Sequence, residues 1–242
     1  MTAITILQSA ADAKPDWVSR CMSSVAVWSQ QHGYSYHCIG DELFDWVKPE
    51  LRTKLHDRTP ILADLARLRW IESELAARDG LVVWIDADTL VVDPIWRVPD
   101  STHTFFGEEC WVQPTAEGSW RAYQSPHNAF MGFTSASPVL GFLAYLSESI
   151  VERADAAHIA PQMVGPKLLK ALNNLAHFTL VPEAGAVSPE LLAEWVGEAG
   201  PATTCYEQAT RAPLTLVNLC SSLTHSEEAV QRTEQFLAGH GV

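Results

Sequence analysis

Two carboxylates one residue apart, Asp86 and Asp88, interrupt the apolar run Leu81-Val-Val-Trp-Ile-Asp-Ala-Asp-Thr-Leu-Val-Val-Asp-Pro94. The five apolar residues before them read as a buried strand, so the acids sit at its C-terminal end, where open α/β sheets gather their ligands. Acids this close repel one another unless positive charge stands beside them, and oxygen donors of this kind suit magnesium or manganese. The spacing therefore predicts a divalent cation held by Asp88 and Asp86. The alternative is a strand running into an acidic turn closed by Asp93-Pro94. Apolar sequence on both sides argues for a partner, because burying unpaired charge is costly.

A third acid has an unusual setting. On a helical wheel of about 100° per residue, Ile61, Leu65, Leu68, Ile71 and Leu75 fall in one stripe, and Asp64 falls inside it. A carboxylate turned toward a core needs hydrogen bonds or a countercharge, and Arg67, three residues on, can supply one. The pair is either purely structural or borders a ligand site.

The elements that must position these residues follow a β-α-β pattern. Ile4 to Gln8 reads as a strand, Pro15 to Gln31 as a helix ended by Gly33, and Tyr34 to Ile39 as a second strand. Pro60 to Arg78 reads as a helix closed by Gly80, which delivers the chain into the strand at 81–85, so parallel pairing is expected. Beyond Pro94, strands are expected at Thr104–Gly107 and Ala129–Thr134 with a long loop between them, rich in Trp and Glu. Helices follow at Pro138–Arg153 and Val164–Asn174, extended segments at His177–Val181 and Leu214–Leu219, and a last helix from about His225 to Ala238. The fold class is α/β, with a mostly parallel central sheet flanked by helices, and residues 1–242 read as one domain.

Composition narrows the function. Sixteen Lys and Arg against twenty-nine Asp and Glu give a formal charge of −13, which disfavours a broad nucleic-acid footprint or adhesion to anionic lipid. The five cysteines contain no C-x-x-C pair, so a disulfide scaffold or structural zinc site is not expected and a reducing, cytoplasmic setting fits. The N-terminus lacks the basic region and long apolar core of a secretory signal. No stretch approaches the roughly 20 apolar residues that cross a bilayer.

Taken together, Asp64-Leu-Ala-Arg67 on its helix, the short turn, and Trp84-Ile-Asp-Ala-Asp88 resemble the DXD-containing glycosyltransferases of GT-A (Rossmann-like) fold. The likeness is strongest to the group with yeast outer-chain-initiating mannosyltransferases and the glycosylating domains of clostridial toxins. It centres on residues 60–94, with echoes in Asn128-Ala-Phe-Met-Gly132 and Gly165-Pro166. The resemblance implies transfer of a sugar from a nucleotide-diphosphate sugar, aided by Mn2+ or Mg2+. It gives Asp88 the metal, Asp86 the ribose or a water-mediated metal contact, and Asp64 and Arg67 donor contacts. Gln8, Asn128 and Gly165 complete the expected donor site. His225, directly after the last strand, is where the resemblance looks for a further metal ligand, although Thr224-His-Ser-Glu227 also fits a capping box. Gln162 lies where retaining relatives present a polar side chain to the donor, and is otherwise a loop glutamine. The resemblance implies retention, since the families closest in appearance retain configuration, and no single downstream acid stands out as a base, with Glu108 and Glu109 as candidates. Trp111, Trp120 and Tyr123 are candidates for stacking on a sugar or a base.

Three other readings compete. Ile85-Asp-Ala-Asp-Thr-Leu-Val also fits the nucleophile string of haloacid-dehalogenase-type phosphatases, with Asp86 as nucleophile. About 80 residues precede it here, and no second acid cluster follows at a strand end. A nucleotidyltransferase would want a glycine-rich phosphate loop after the first strand, and Ser9-Ala-Ala-Asp-Ala-Lys14 has no glycine. A non-catalytic nucleotide-sugar-binding module would keep the fold and the metal without turnover.

Overall fold

In the computed structural model the residues described are 2–100, 102–155, 158–160, 162–197 and 200–220, with 230, 231, 233 and 235 beyond them. Strand β1 (Ile4–Ser9) lies between two parallel neighbours, β2 (Ser35–Ile39) and β3 (Leu81–Ile85). Helix α1 (Asp16–His32) links the first pair. The second connection carries a 3₁₀ turn (Asp41–Trp46), α2 (Pro49–Lys54) and α3 (Thr59–Ala77). After the short β4 (Thr89–Val91), strands β5 (Thr104–Pro114) and β6 (Trp120–Thr134) form an antiparallel hairpin, and β6 inserts between β5 and β3. Helices α4 (Leu140–Arg153) and α5 (Pro166–Ala176) lead to β7 (Leu180–Val181), which pairs parallel to β5.

The central sheet thus runs β2-β1-β3-β6-β5-β7 with β6 alone reversed, the mostly parallel α/β architecture expected from the sequence. A second sheet, β4-β9-β8, is made by β8 (Ala184–Ala186) and β9 (Leu216–Asn218), joined through α6 (Pro189–Val196) and α7 (Pro201–Ala209).

Alternation along the strands covers both faces. Leu7, Val82, Trp84 and Met131 turn toward α3 and α4, whereas Ile6, Val83, Ile85 and Phe130 turn toward Val25 and Trp28 of α1. Every residue of β3 is buried. A fully buried aliphatic side chain contributes roughly 1.5–3 kcal/mol, against about 0–1 kcal/mol for an exposed ion pair. The apolar runs therefore place the elements, and the charged residues ride with them.

One expectation is corrected, and one segment without a prediction proves structured. The loop expected between 107 and 129 is strand except for a turn at 115–119: Cys110 and Val112 pack inward while their neighbours Glu109 and Trp111 stay half-buried, and that mixed face hides the alternation. The segment between 182 and 213 carries α6, α7 and β8, elements too short to leave a clear periodicity. The expected helix from His225 lies outside the described residues, apart from isolated positions.

The turn joining β3 to β4 is clamped from three sides. Asp86 N–H donates to Ala129 O of β6 (2.8 Å), Thr89 N–H and the Gln8 amide both donate to Asp86 O (3.0 and 3.2 Å), and Leu219 N–H donates to Asp88 O (3.0 Å). Gly80 sets up this delivery. Its φ of +126° and the contact an added Cβ would make with Ala3 O leave room only for glycine. Gly80→Ala should cost roughly 1–3 kcal/mol. Thermal unfolding checks this as a fall of about 2–4 °C per kcal/mol, and an unchanged midpoint would contradict it.

Candidate functional site

The positive charge beside Asp86 comes from the protein itself. Arg67, on α3, reaches Asp86 Oδ1 with one terminal nitrogen (2.9 Å) and Asp64 Oδ1 with the other (3.0 Å). The first nitrogen also donates to Asn128 O (3.1 Å), and Nε donates to Ala63 O (3.2 Å). The guanidinium lies 5.1 Å over the Trp84 ring, whose indole N–H donates to the same Asp86 oxygen. Asn128 closes the network by donating to Asp64 Oδ1 at 2.7 Å.

Burial makes this network necessary. It pushes the Asp64 carboxyl up from 3.8 to about 6, against the pull of Arg67. Burial also raises Asp86, again opposed by Arg67, while neighbouring Asp88 raises it further.

Asp88 meets a different partner. Its Oδ1 accepts from the Asn218 amide at the end of β9 (2.6 Å), and Asn218 also donates to the Thr89 hydroxyl (3.2 Å). The Asn218 oxygen in turn accepts from Cys220 N–H (3.1 Å). Burial, Asp88, Glu109 and Asp86 all push the Cys220 thiol upward, keeping it neutral.

These residues form a ridge between two hollows. The larger, of about 630 Å³, is walled by Asp64, Asp88, Asn128, Gln162, Glu109, Trp111 and His127 among others. The smaller, of about 360 Å³, lies against the segment 9–15 and the 3₁₀ turn. Thr59, Ala63, Arg67, Asp86 and Asp88 line both. The first turn of α3 thus faces the ridge, and it carries no side-chain cap. A helix start of that kind favours anions.

The structure brings together Asp64, Arg67, Asp86, Asp88, Asn128 and Gln162 as candidates around one cleft. Gln8 does not belong to it. Its side chain is fully buried, donating to Asp86 O and accepting from the Tyr36 hydroxyl (2.8 Å), so it braces the turn instead of meeting a ligand. Gly165 acts by close approach, since a Cβ there would come within 2.5 Å of Asp64 Oδ2. His225 lies outside the described residues. Glu108 turns to the far side of the hairpin and pairs with Arg211 (2.9 Å), and Trp120 packs into the core beneath α6 and α7.

Sequence reasoning did not single out Asn218, Cys220 or the Glu109–His127 pair. His127 Nδ1 accepts from Ala129 N–H (3.2 Å), so in the neutral ring the proton sits on Nε2, 3.9 Å from Glu109 Oε2. The other Glu109 oxygen accepts from Ser125 (2.7 Å). Only Asn218 left a signal, as a polar residue ending an apolar strand.

The donors present suit a hard cation in one arrangement. Among the described residues no group of three or more His, Cys, Asp or Glu could hold a metal. Asp88 and Glu109 line the cleft without a direct contact to Arg67, and oxygen donors of this kind suit a hard, magnesium-type ion.

No family model matches the chain, and no curated protein does. Among solved structures, it is similar to the crystal structure of a glycosyltransferase involved in the glycosylation of the major capsid of PBCV-1, at 14% identity and a TM-score of 0.46, covering 97% of this chain and 98% of that one. No helix among the described residues is long and apolar enough to cross a membrane.

Removing Arg67 leaves two buried carboxylates without their countercharge. Arg67→Ala should destabilise the protein by about 3–5 kcal/mol in urea unfolding, and adding Asp64→Asn should recover part of that loss. Equal stability of Arg67→Ala and wild type would contradict the bridge. The raised Asp64 pKa means the folded state holds that proton more tightly than the unfolded one. Its stabilisation is present below about pH 4 and lost as pH rises through about 6. Relative to Asp64→Asn, wild type should lose stability between pH 4 and 7, and a pH-independent difference would contradict this.

Proposed function

We propose that the protein is a metal-dependent glycosyltransferase that moves a sugar from a nucleotide-diphosphate sugar to an acceptor hydroxyl. One observation carries the reading. Asp88, oriented by Asn218, sits beside the Arg67-bridged acids on a ridge between two hollows at the end of β3. The resemblance of Asp64-Leu-Ala-Arg67 and Trp84-Ile-Asp-Ala-Asp88 to the DXD-containing glycosyltransferases supports it further.

The side chains divide the work. The smaller hollow takes the nucleoside, the ridge takes the diphosphate, and the larger hollow takes the sugar and the acceptor. Asp88 holds the ion, with His225 as a candidate for a further ligand. A divalent cation bound there supplies positive charge to the departing diphosphate, where charge grows in the transition state. The uncapped start of α3 adds its dipole to the same end. Arg67 and Asn128 keep Asp64 and Asp86 fixed, so the site does not reorganise during reaction.

Transfer with retention remains the preferred stereochemistry, with Gln162 presented to the reacting face of the sugar. A second reading, inversion with Glu109 as base, is favoured by the place of Glu109 in the wall of the larger hollow. The anomeric configuration of the product, read by NMR, separates them. A phosphatase using Asp86 is disfavoured, because the Asp86 oxygen that meets Arg67 also takes the Trp84 indole N–H, which dampens its nucleophilicity.

Incubation with Mn2+ and a panel of nucleotide sugars should release nucleoside diphosphate. Asp88→Asn should lower that rate by about 100-fold or more, while its thermal midpoint stays level or rises, since one of two neighbouring negative charges is gone. Wild-type turnover in Asp88→Asn would overturn the metal assignment. Binding without turnover would favour a nucleotide-sugar-binding module, and phosphate release from a phosphomonoester would favour the phosphatase. For His225→Ala, a weaker Mn2+ affinity is expected. An unchanged titration returns His225 to a capping role.

A further inference from the structure

One face of the β5–β6 hairpin is covered: Cys110, Val112, Trp120 and Ala122 pack with α6 and α7. The opposite face is built from the alternate residues. The register sets Glu109 against Ser125, Trp111 against Tyr123 and Gln113 against Arg121. Cross-strand partners share a face, so these six side chains form a strip. It begins in the larger hollow, where Glu109 and Trp111 line the wall. From there it runs outward, its side chains becoming progressively exposed from buried Ser125, through half-buried Trp111 and Tyr123, to exposed Gln113 and Arg121.

The chemistry along the strip is mixed in a specific way. Two aromatic residues, Trp111 and Tyr123, are cross-strand partners, and the Arg121 guanidinium stands 5.2 Å over the Tyr123 ring. At the inner end the Glu109 carboxylate takes one hydrogen bond from Ser125, and as an acceptor-only group it suits hydroxyl donors. Ring faces stack on the C–H face of a pyranose, and the polar groups between them meet its hydroxyls. From Glu109 to Gln113 the strand extends about 13 Å, enough for roughly two or three linked rings. The formal charge of −13 argues against a polyanion as the occupant.

We propose that this strip is the acceptor subsite and that the acceptor is a saccharide. One of its hydroxyls donates to Glu109 at the inner end, and the more distant rings stack on Trp111 and Tyr123. The acceptor role rests on the glycosyl-transfer reading; the saccharide affinity of the strip does not.

The test therefore separates the two. Saturation-transfer NMR of the full chain with maltotriose, cellotriose and mannotriose should show binding of at least one. Trp111→Ala should weaken its Kd about tenfold or more, as loss of a stacking face implies. Trp111→Phe, which keeps an aromatic ring, should stay within about threefold of wild type. Binding of none of the three, or wild-type affinity in Trp111→Ala, would overturn the strip as a saccharide site. If saccharide binds as expected but no nucleotide sugar yields nucleoside diphosphate, the glycosyl-transfer reading fails and the acceptor role falls with it.

Discussion

The Arg67 guanidinium is the constraint around which the site is built. It joins a carboxylate on the buried face of α3 to one in the turn after β3, so the helix and the sheet meet through a charge that neither acid can do without. In a poorly solvated setting both acids resist ionisation, and a single planar cation with divergent donors satisfies them together. A lysine, with one compact charge, would not span the two. The neighbouring acids have different partners, Arg67 for Asp86 and the Asn218 amide for Asp88.

The fold serves this arrangement by bringing distant segments to one sheet end. β3 ends at Asp86, β6 brings Asn128 and His127, and β9 brings Asn218. The start of α3 opens onto the same ridge. The turn itself is held by backbone and Gln8 hydrogen bonds, which leaves the acid side chains as the groups that face the cleft. The hairpin adds a second use of strand alternation, one face given to the core and the other to the wall of the larger hollow.

Much of this was legible in the sequence where physical signals are local. The run before Asp86 is long and apolar enough to be a strand buried on both faces, and the helical wheel exposes Asp64 as a carboxylate on a core face. Arg67 could be read as the partner of Asp64 because the two are one turn apart. Its bond to Asp86 could not, because it depends on how α3 packs against β3. Gln8 was misread for a related reason: at a strand end, sequence position does not say whether a side chain points into the cleft or back under the turn. The β5–β6 hairpin escaped because a half-exposed face of Glu, Trp and Tyr resembles an irregular loop, and α6 and α7 because helices of eight and nine residues carry barely two turns of pattern.

The central claim is that Arg67 already neutralises Asp86 and leaves Asp88 as the ion-binding acid. Calorimetric titration of Mn2+ into the protein with a nucleoside diphosphate present tests it most directly. The account predicts uptake by wild type and by Asp86→Asn, and none by Asp88→Asn. Uptake that survives in Asp88→Asn but disappears in Asp86→Asn, or no uptake by wild type, would contradict it.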